Sequence, residues 1–303
     1  MNVALVLGGG VALGAYHAGA YAALHEHAEL RPARIAGASV GAVAGALIAG
    51  NPLGGRVGRL RKFWDDAALD APWTMASPLA ILHVRMFGRP GFFNPRPEAA
   101  WRRPVTAIYD PTPLRRRLEH VIDFERLNRA SFSVTTTDVE SGEPVVFDTR
   151  RGDRIGAEHL IASCGYLPDF PPVEIGGRLL GDGGLVANTP VDRAVDWDTG
   201  EEEWTVFVLD LFARARARPS SLEQAAARRM DLMFGNQTRQ CLRLLELELR
   251  ASGRAERVRL VQLAYRAPAD EGGAEKPFNF SRATLTNRWA AGVRDMEEAI
   301  RSL

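Results

Sequence analysis

The chain has 303 residues, 46% of them hydrophobic and 25% charged, and its net charge of +1 gives no electrostatic reason to expect a nucleic-acid partner. No apolar run reaches the roughly 20 residues that a membrane-spanning helix requires. Two cysteines, Cys164 and Cys241, are too few for a disulfide framework or a zinc site, so we expect a soluble cytoplasmic protein and leave peripheral membrane contact open.

The chain starts with a continuous apolar run, residues 3–7, which predicts a strand buried on both faces rather than a signal peptide. Gly8-Gly9-Gly10-Val11 follow, and then a helical pattern over residues 15–27. Such a glycine loop can bind a dinucleotide phosphate or form an oxyanion hole. The phosphate interpretation is weaker, because the G-x-G-x-x-G spacing is imperfect and no acidic residue ends a second strand about 20 positions on.

Residues 34–48 contain the pattern on which the functional prediction depends. A short apolar strand leads into Gly37-Ala38-Ser39-Val40-Gly41, and an alanine-rich helix follows. This is the sequence form of a nucleophile elbow, in which Gly37 and Gly41 flank the serine because a Cβ would collide with neighbouring backbone. The alternative is an ordinary strand-to-helix turn in which Ser39 only caps the helix.

The middle of the chain is more varied. Residues 56–69 have the spacing of an amphipathic helix. Residues 70–109 mix prolines with large apolar side chains, which fits either an acyl-chain wall or lid, or an irregular insertion packed on the core; we favour the insertion. Further predicted elements are helices over 112–121 and 157–164 and strands over 132–137 and 144–148.

A second glycine-rich turn follows, with an acidic residue in it. A predicted hairpin over 171–180 leads into Gly181-Asp182-Gly183-Gly184, and a strand over 206–211 and helices over 221–250 and 284–300 follow. Strands alternating with helices predict a three-layer α/β/α fold with a mostly parallel central sheet. We expect a catalytic domain over 1–212 and a mainly helical extension over 213–303 packed on it.

A serine nucleophile needs a proton acceptor. The α/β-hydrolase order would place a histidine after Asp182, and none is present; His120 or His159 with an earlier acid would fit that order, although His159 lies in an apolar helix. Asp182 is the remaining candidate, with Gly183 and Gly184 allowing a tight backbone. The alternative is a turn aspartate that bonds only its own backbone.

Together the glycine loop, the elbow and Asp182-Gly183-Gly184 resemble the patatin-like phospholipase family, in its bacterial branch. The resemblance implies a patatin-like fold and a catalytic dyad of Ser39 and Asp182. It further implies an oxyanion hole formed by the amides of Gly9, Gly10 and Val11, with Gly8 adjacent. The implied function is a serine acyl hydrolase that cleaves carboxylic esters of lipids through an acyl-enzyme, with a lipid or acyl-ester substrate and no metal or organic cofactor.

The chain departs from this family in its glycine loop. Val11 stands where the family carries a further glycine, and Leu13 stands where arginine or lysine is frequent. A β-branched residue tolerates positive φ badly. Strain at Val11 would therefore distort the amides of the predicted oxyanion hole. Two alternatives therefore stay open, a catalytically silent scaffold of the same fold and a nucleotide- or phosphate-binding α/β module. A thioesterase or polyester hydrolase is a further alternative among enzymes, and the oligomeric state is not predicted.

Overall fold

The fold is organised on an eight-stranded, mostly parallel sheet with helices on both faces. A computed structural model describes residues 2–70, 77–96, 106–194, 202–213, 215–268, 271 and 273–303. The strands are β1 (Asn2–Leu7), β2 (Pro32–Ala38), β3 (Asn94–Pro95), β4 (Tyr109–Asp110), β5 (Phe132–Asp138), β6 (Pro144–Asp148), β7 (Val173–Ile175), β8 (Arg178–Asp182), β9 (Trp204–Asp210) and β10 (Val258–Ala264). The helices are α1 (Ala15–His25), α2 (Val40–Ala49), α3 (Arg56–Ala67), α4 (Ser77–Phe87), α5 (Thr112–Val121), α6 (Phe124–Leu127), α7 (Ala157–Ser163), α8 (Leu222–Ala251) and α9 (Arg282–Arg301).

The side chains of β1 show why helices cover both faces of the sheet. Successive side chains of a strand point to opposite faces. Leu5 belongs to a core that includes residues of α1, α2 and α9, whereas Val6 belongs to a second core with Leu242, Leu245 and Leu249 of α8. The strand order is β10–β9–β1–β2–β5–β8–β7, with β6 also paired to β5. The predicted α/β fold with a mostly parallel central sheet is therefore confirmed.

Two strands meet end to end along one edge of β5. β6 pairs antiparallel with residues 133–137 of β5 and so occupies one edge. On the other edge, β2 runs parallel and places Ala38 opposite Thr135, while β8 runs antiparallel and places Asp182 opposite Thr136. Because Thr135 and Thr136 are adjacent, Ala38 and Asp182 are brought together, and Ser39 follows Ala38 directly.

The segment after residue 212 contributes a strand as well as helices. β10 pairs in parallel with β9, and α9 packs along α1. The sequence pattern did not indicate β10, whose apolar residues are interrupted by Arg259 and Gln262. The predicted division at 212/213 stays a prediction, but this segment is part of the central sheet. Over the described ranges, no helix has both the length and the hydropathy needed to cross a bilayer.

The stretch 70–109 contains an ordered helix that the prolines concealed. α4 begins at Ser77-Pro78, and proline is tolerated in the first turn of a helix because the amides there have no intrahelical acceptor. Phe92 and Phe93, further along, are buried in the core. Residues 71–76 and 97–105 of this stretch lie outside the described residues.

Close packing of α1 on α9 generates a stability prediction. A Cβ on Gly19 would lie 1.9 Å from the Trp289 carbonyl oxygen, and a Cβ on Gly292 would lie 2.1 Å from the Tyr16 carbonyl oxygen. We expect Gly19→Ala and Gly292→Ala each to lower the free energy of unfolding by roughly 1–3 kcal/mol or more, because the helices must separate. The urea denaturation midpoint measures the effect.

Gly58→Ala is the matched control, since it lies in α3 with nothing within 4 Å of the added Cβ. That substitution should raise the free energy of unfolding by about 0.5–1 kcal/mol. Equal effects of all three substitutions would contradict the close α1–α9 contact.

Candidate active site

Ser39 occupies a strained turn between β2 and α2. Its backbone lies at φ 54° and ψ −129°, and the side chain is 6% exposed. A Cβ on Gly41 would lie 2.1 Å from the Leu7 carbonyl oxygen, so glycine alone lets the start of α2 approach β1. A Cβ on Gly37 would lie 2.6 Å from the backbone of the same helix. The turn has the geometry that a nucleophile elbow requires, with the start of α2 and its positive dipole end beside Ser39.

Ser163 holds the elbow to the sheet. The Ser39 amide donates a 2.8 Å hydrogen bond to the Ser163 hydroxyl, which in turn donates a 2.7 Å hydrogen bond to the Thr135 carbonyl. Ser163 is the last residue of α7 and is fully buried. The sequence offered no signal for this role, because a serine at a helix end has many ordinary explanations.

Asp182 lies at the end of β8 and is 3% exposed. Its Oδ1 accepts a 2.7 Å hydrogen bond from the Gly184 amide, and its side chain also interacts with that of Ser39. A Cβ on Gly183 would lie 2.1 Å from the Thr135 carbonyl oxygen, and one on Gly184 would lie 2.9 Å from Asp182 Oδ1. Asp182 therefore accepts a hydrogen bond from the backbone of its own turn, as expected of a turn aspartate, but it also lies beside Ser39.

The electrostatics of Asp182 suit a proton acceptor near neutral pH. Burial raises the pKa of Asp182 to about 7, although hydrogen bonds from Ser39 and the Gly184 amide act in the opposite direction. A carboxyl group with this pKa gains and loses its proton within the physiological range, as general acid–base catalysis requires.

The glycine loop is only partly available as an oxyanion hole. The Gly8 amide donates to the Leu209 carbonyl at 3.1 Å, and the Gly9 amide donates to the Asn188 carbonyl at 3.0 Å. Within the described residues, the amides of Gly10 and Val11 have no acceptor, and both residues line a cavity with Ser39. Of the predicted donors Gly9, Gly10 and Val11, only the amides of Gly10 and Val11 are therefore left for an oxyanion, and the adjacent Gly8 amide is also occupied.

The departure at Val11 has a structural consequence. Val11 adopts φ 50°, a left-handed conformation that is unfavourable for a β-branched residue. Its side chain lines the apolar cavity described below. The strain that the sequence predicts is thus present in the loop beside Ser39.

Asn188 links the glycine loop to the Asp182 turn. It is buried; besides accepting from Gly9, it places its side-chain oxygen 2.7 Å from the position that a Cβ on Gly184 would take. No sequence pattern singles out Asn188, because it lies in an irregular segment six residues after Asp182.

Two cavities meet at Ser39 and Asp182. The first is almost entirely apolar, and the second carries charged side chains; Ser39, Asp182, Val11 and Tyr166 line both. The apolar cavity is walled mainly by Val43, Phe63, Trp64, Phe92, Phe93, Leu114, Phe170 and Phe280. The polar cavity carries Arg85, Asp169, Asn188, Arg229 and Glu275. Phe92 and Phe93 show that part of the 70–109 stretch is a cavity wall.

The described histidines do not lie in the candidate active site. None of the described residues that line the two cavities is a histidine. His159 accepts a 3.0 Å hydrogen bond from the Gly156 amide at the start of α7, and His120 is exposed on α5. Both are structural or surface residues here. Among the described residues, no cluster of three or more His, Cys, Asp or Glu side chains could hold a metal ion.

The sequence matches models of known protein families. A family model described as "Patatin-like phospholipase" matches residues 5–195, which include the glycine loop, Ser39 and Asp182. The chain belongs to the patatin-like phospholipase family. A second model, described as "Patatin phospholipase", matches residues 222–302, so both parts of this patatin-like chain resemble proteins of that description. No curated protein resembles the chain closely enough to count as a match.

Several solved structures are similar at low sequence identity. VipD from Legionella pneumophila is 13% identical, with a TM-score of 0.49 over 99% of this chain and 66% of VipD. The type III effector protein ExoU is 16% identical, with a TM-score of 0.39 over 99% of this chain and 53% of ExoU. ExoU in its heterodimeric complex with SpcU, from Pseudomonas aeruginosa, is 18% identical at the same TM-score, over 52% of its length. The chain thus spans two thirds or less of these proteins, and we draw no inference about activity from them.

The role of Ser163 gives a prediction that separates positioning from packing. Ser163→Ala removes the acceptor of the buried Ser39 amide, which should lower the free energy of unfolding by about 1–3 kcal/mol. It should also lower kcat for ester hydrolysis, because the elbow loses its link to β5. Chemical denaturation and initial rates measure the two effects.

Ser133→Ala is the matched control, because the Ser133 hydroxyl is buried on β5 and has no hydrogen-bond partner among the described residues. It should leave stability and kcat close to those of the parent protein. A Ser163→Ala variant that behaves like Ser133→Ala would show that the Ser39–Ser163 contact is dispensable.

Proposed function

We propose that this chain is a serine acyl hydrolase that cleaves carboxylic esters of lipids through an acyl-enzyme. One observation carries the proposal: Ser39, on a strained elbow, lies beside the buried Asp182 where an apolar and a polar cavity meet. Membership of the patatin-like phospholipase family supports a lipid-hydrolysing enzyme. The Ser39–Asp182 dyad, the two loop amides and the acyl-enzyme are our assignments.

The reaction would proceed in two displacements. Ser39 Oγ attacks the ester carbonyl carbon while Asp182 accepts the hydroxyl proton, and the amides of Gly10 and Val11 donate hydrogen bonds to the oxyanion. As the intermediate collapses, the bond to the alcohol breaks, and Asp182 returns the proton to the leaving alkoxide. Water then attacks the acyl-enzyme by the same route, with Asp182 as the base, and releases the fatty acid and free Ser39.

We assign the acyl and alcohol parts of the substrate to the two different cavities. The apolar cavity has almost no polar lining apart from the reacting groups, which fits an acyl chain. The polar cavity is left for the alcohol side of the ester. The ester bond then lies at Ser39, where the cavities meet.

The two alternatives predict different properties. A phosphate-binding module would use the loop amides, but those of Gly8 and Gly9 already donate to protein carbonyls. A silent scaffold is favoured by the strained φ of Val11, since distortion there affects the oxyanion donors. Reactivity of Ser39 separates the scaffold from the enzyme.

Labelling with a fluorophosphonate probe followed by mass spectrometry tests the proposal. We expect one adduct on Ser39, none in Ser39→Ala, and labelling slowed about 10²- to 10⁴-fold in Asp182→Asn, because general-base assistance contributes that much. A folded parent protein without an adduct would contradict the enzyme proposal and support the scaffold.

Asp210 provides the matched control for Asp182. It ends β9, is fully buried, and accepts a 3.0 Å hydrogen bond from the Phe212 amide, much as Asp182 accepts from Gly184. Burial likewise raises the pKa of Asp210 to about 7, yet it lines neither cavity. Asp210→Asn should therefore leave the labelling rate close to that of the parent.

The pKa of Asp182 predicts the pH dependence. Because burial raises that pKa to about 7 and the base must be ionised, kcat/KM for a soluble ester should rise through pH 7 and then level off. Initial rates between pH 5 and 9 measure this profile. Asp210→Asn should keep the inflection, and its loss in that variant would assign the inflection to Asp210 instead.

A further inference from the structure

The apolar cavity beside Ser39 is small. Its free volume is about 70 Å³, less than half of the roughly 150 Å³ of an apolar protein cavity that holds benzene. At one end it meets the polar cavity, where Val11, Ser39, Tyr166 and Asp182 line both. With its walls in these positions, the cavity can hold only a short acyl group, and the residue that closes its other end limits the length of the chain.

A surface groove between α3 and α5 lies behind the wall of this cavity that faces away from the polar cavity. The groove is strongly basic. Among the described residues, Phe63 alone lines both the groove and the apolar cavity. One aromatic side chain therefore separates the apolar cavity from the groove. The charged and titratable residues of the groove are Arg59, Lys62, Asp66, Arg116, Arg117 and His120.

Phe63 is held in this position by its neighbours. It is 6% exposed, and its ring packs edge-to-face on Phe92 with 5.2 Å between the ring centroids. The guanidinium of Arg117 in turn lies 4.6 Å from the centroid of the Phe92 ring. Arg117 forms a 2.7 Å ion pair with Asp66 and donates a 3.2 Å hydrogen bond to the Gly91 carbonyl. Since Asp66 lies in α3 with Phe63, this ion pair ties α5 to the helix that carries the wall.

We propose that Phe63 is a specificity-determining residue that closes the apolar cavity and restricts the enzyme to esters of short acyl groups. This inference rests on the proposed function and names its substrate class. A longer chain would have to displace Phe63 from Phe92 and enter a groove that carries five basic side chains. Methylene groups gain binding energy from apolar surroundings, so a charged groove offers them little in return for that displacement.

The test measures kcat/KM for p-nitrophenyl butyrate, octanoate and dodecanoate at one fixed detergent concentration. These esters share a leaving group, so only the acyl chain differs. The variants are Phe63→Leu and Phe63→Ala, which remove successively more of the side chain. Leu60→Ala is the matched control, because Leu60 is fully buried in the same helix and lines neither the cavity nor the groove. The dodecanoate-to-butyrate ratio is compared within each protein, so a reduced folded fraction cancels.

The parent protein should hydrolyse the butyrate ester at least about tenfold more efficiently than the dodecanoate ester, because the excluded methylenes lose roughly fourfold each. Phe63→Ala should raise the dodecanoate-to-butyrate ratio about tenfold, as expected when about two further methylenes are accommodated, and mainly through KM. Phe63→Leu should raise the ratio less, with octanoate gaining more than dodecanoate. Leu60→Ala should keep the ratio of the parent.

Two results would overturn the inference while leaving the proposed function intact. One is a parent protein that hydrolyses dodecanoate as efficiently as butyrate. The other is a Phe63→Ala variant whose ratio equals that of the parent or of Leu60→Ala. A parent protein that neither hydrolyses the butyrate ester nor reacts with the fluorophosphonate would instead overturn the proposed function, and this inference with it.

Discussion

The shared edge of β5 is the constraint on which the candidate site depends. β2 and β8 reach that edge from opposite directions, and the register places Ala38 opposite Thr135 and Asp182 opposite Thr136. Ser39 and Asp182, 143 positions apart in the sequence, are thereby brought together at the strand ends. The Ser163 hydroxyl bonds both the Ser39 amide and the same stretch of β5, so the strand register and this side chain together set the position of Ser39.

Burial of Asp182 makes its ionised form destabilising for the folded protein. The pKa of Asp182 is about 7 against an ordinary value of 3.8, because the folded protein disfavours its charge. The folded state therefore binds this proton more tightly than the unfolded state, and the stability that the protonated carboxyl contributes is lost as pH rises through 7. The folded protein is thus less stable when Asp182 is ionised, although a general base must be in that form.

Much of the fold was readable from the sequence because it depends on local patterns. Continuous apolar runs predicted β1 and β9, and the glycines around Ser39 and Asp182 predicted tight turns whose Cβ clashes the structure locates. The rest depends on contacts between distant segments. The Gly8 amide donates to Leu209 and the Gly9 amide to Asn188, and no local sequence pattern indicates which loop amides lack an acceptor within the described residues. β10 was missed since edge strands tolerate polar residues.

The aromatic wall of the apolar cavity has a consequence for the order in which the protein is made. Ser39 and Asp182 precede residue 183, whereas Phe280 of the apolar wall and Phe278 of the polar cavity pack against Phe93 from a later segment. α9 then packs along α1, which is synthesised well before it. A nascent chain that has passed residue 182 thus holds both reacting side chains and most of the apolar wall, but it lacks Phe280 and most residues of the polar cavity. Both cavities are complete only when synthesis has passed residue 280.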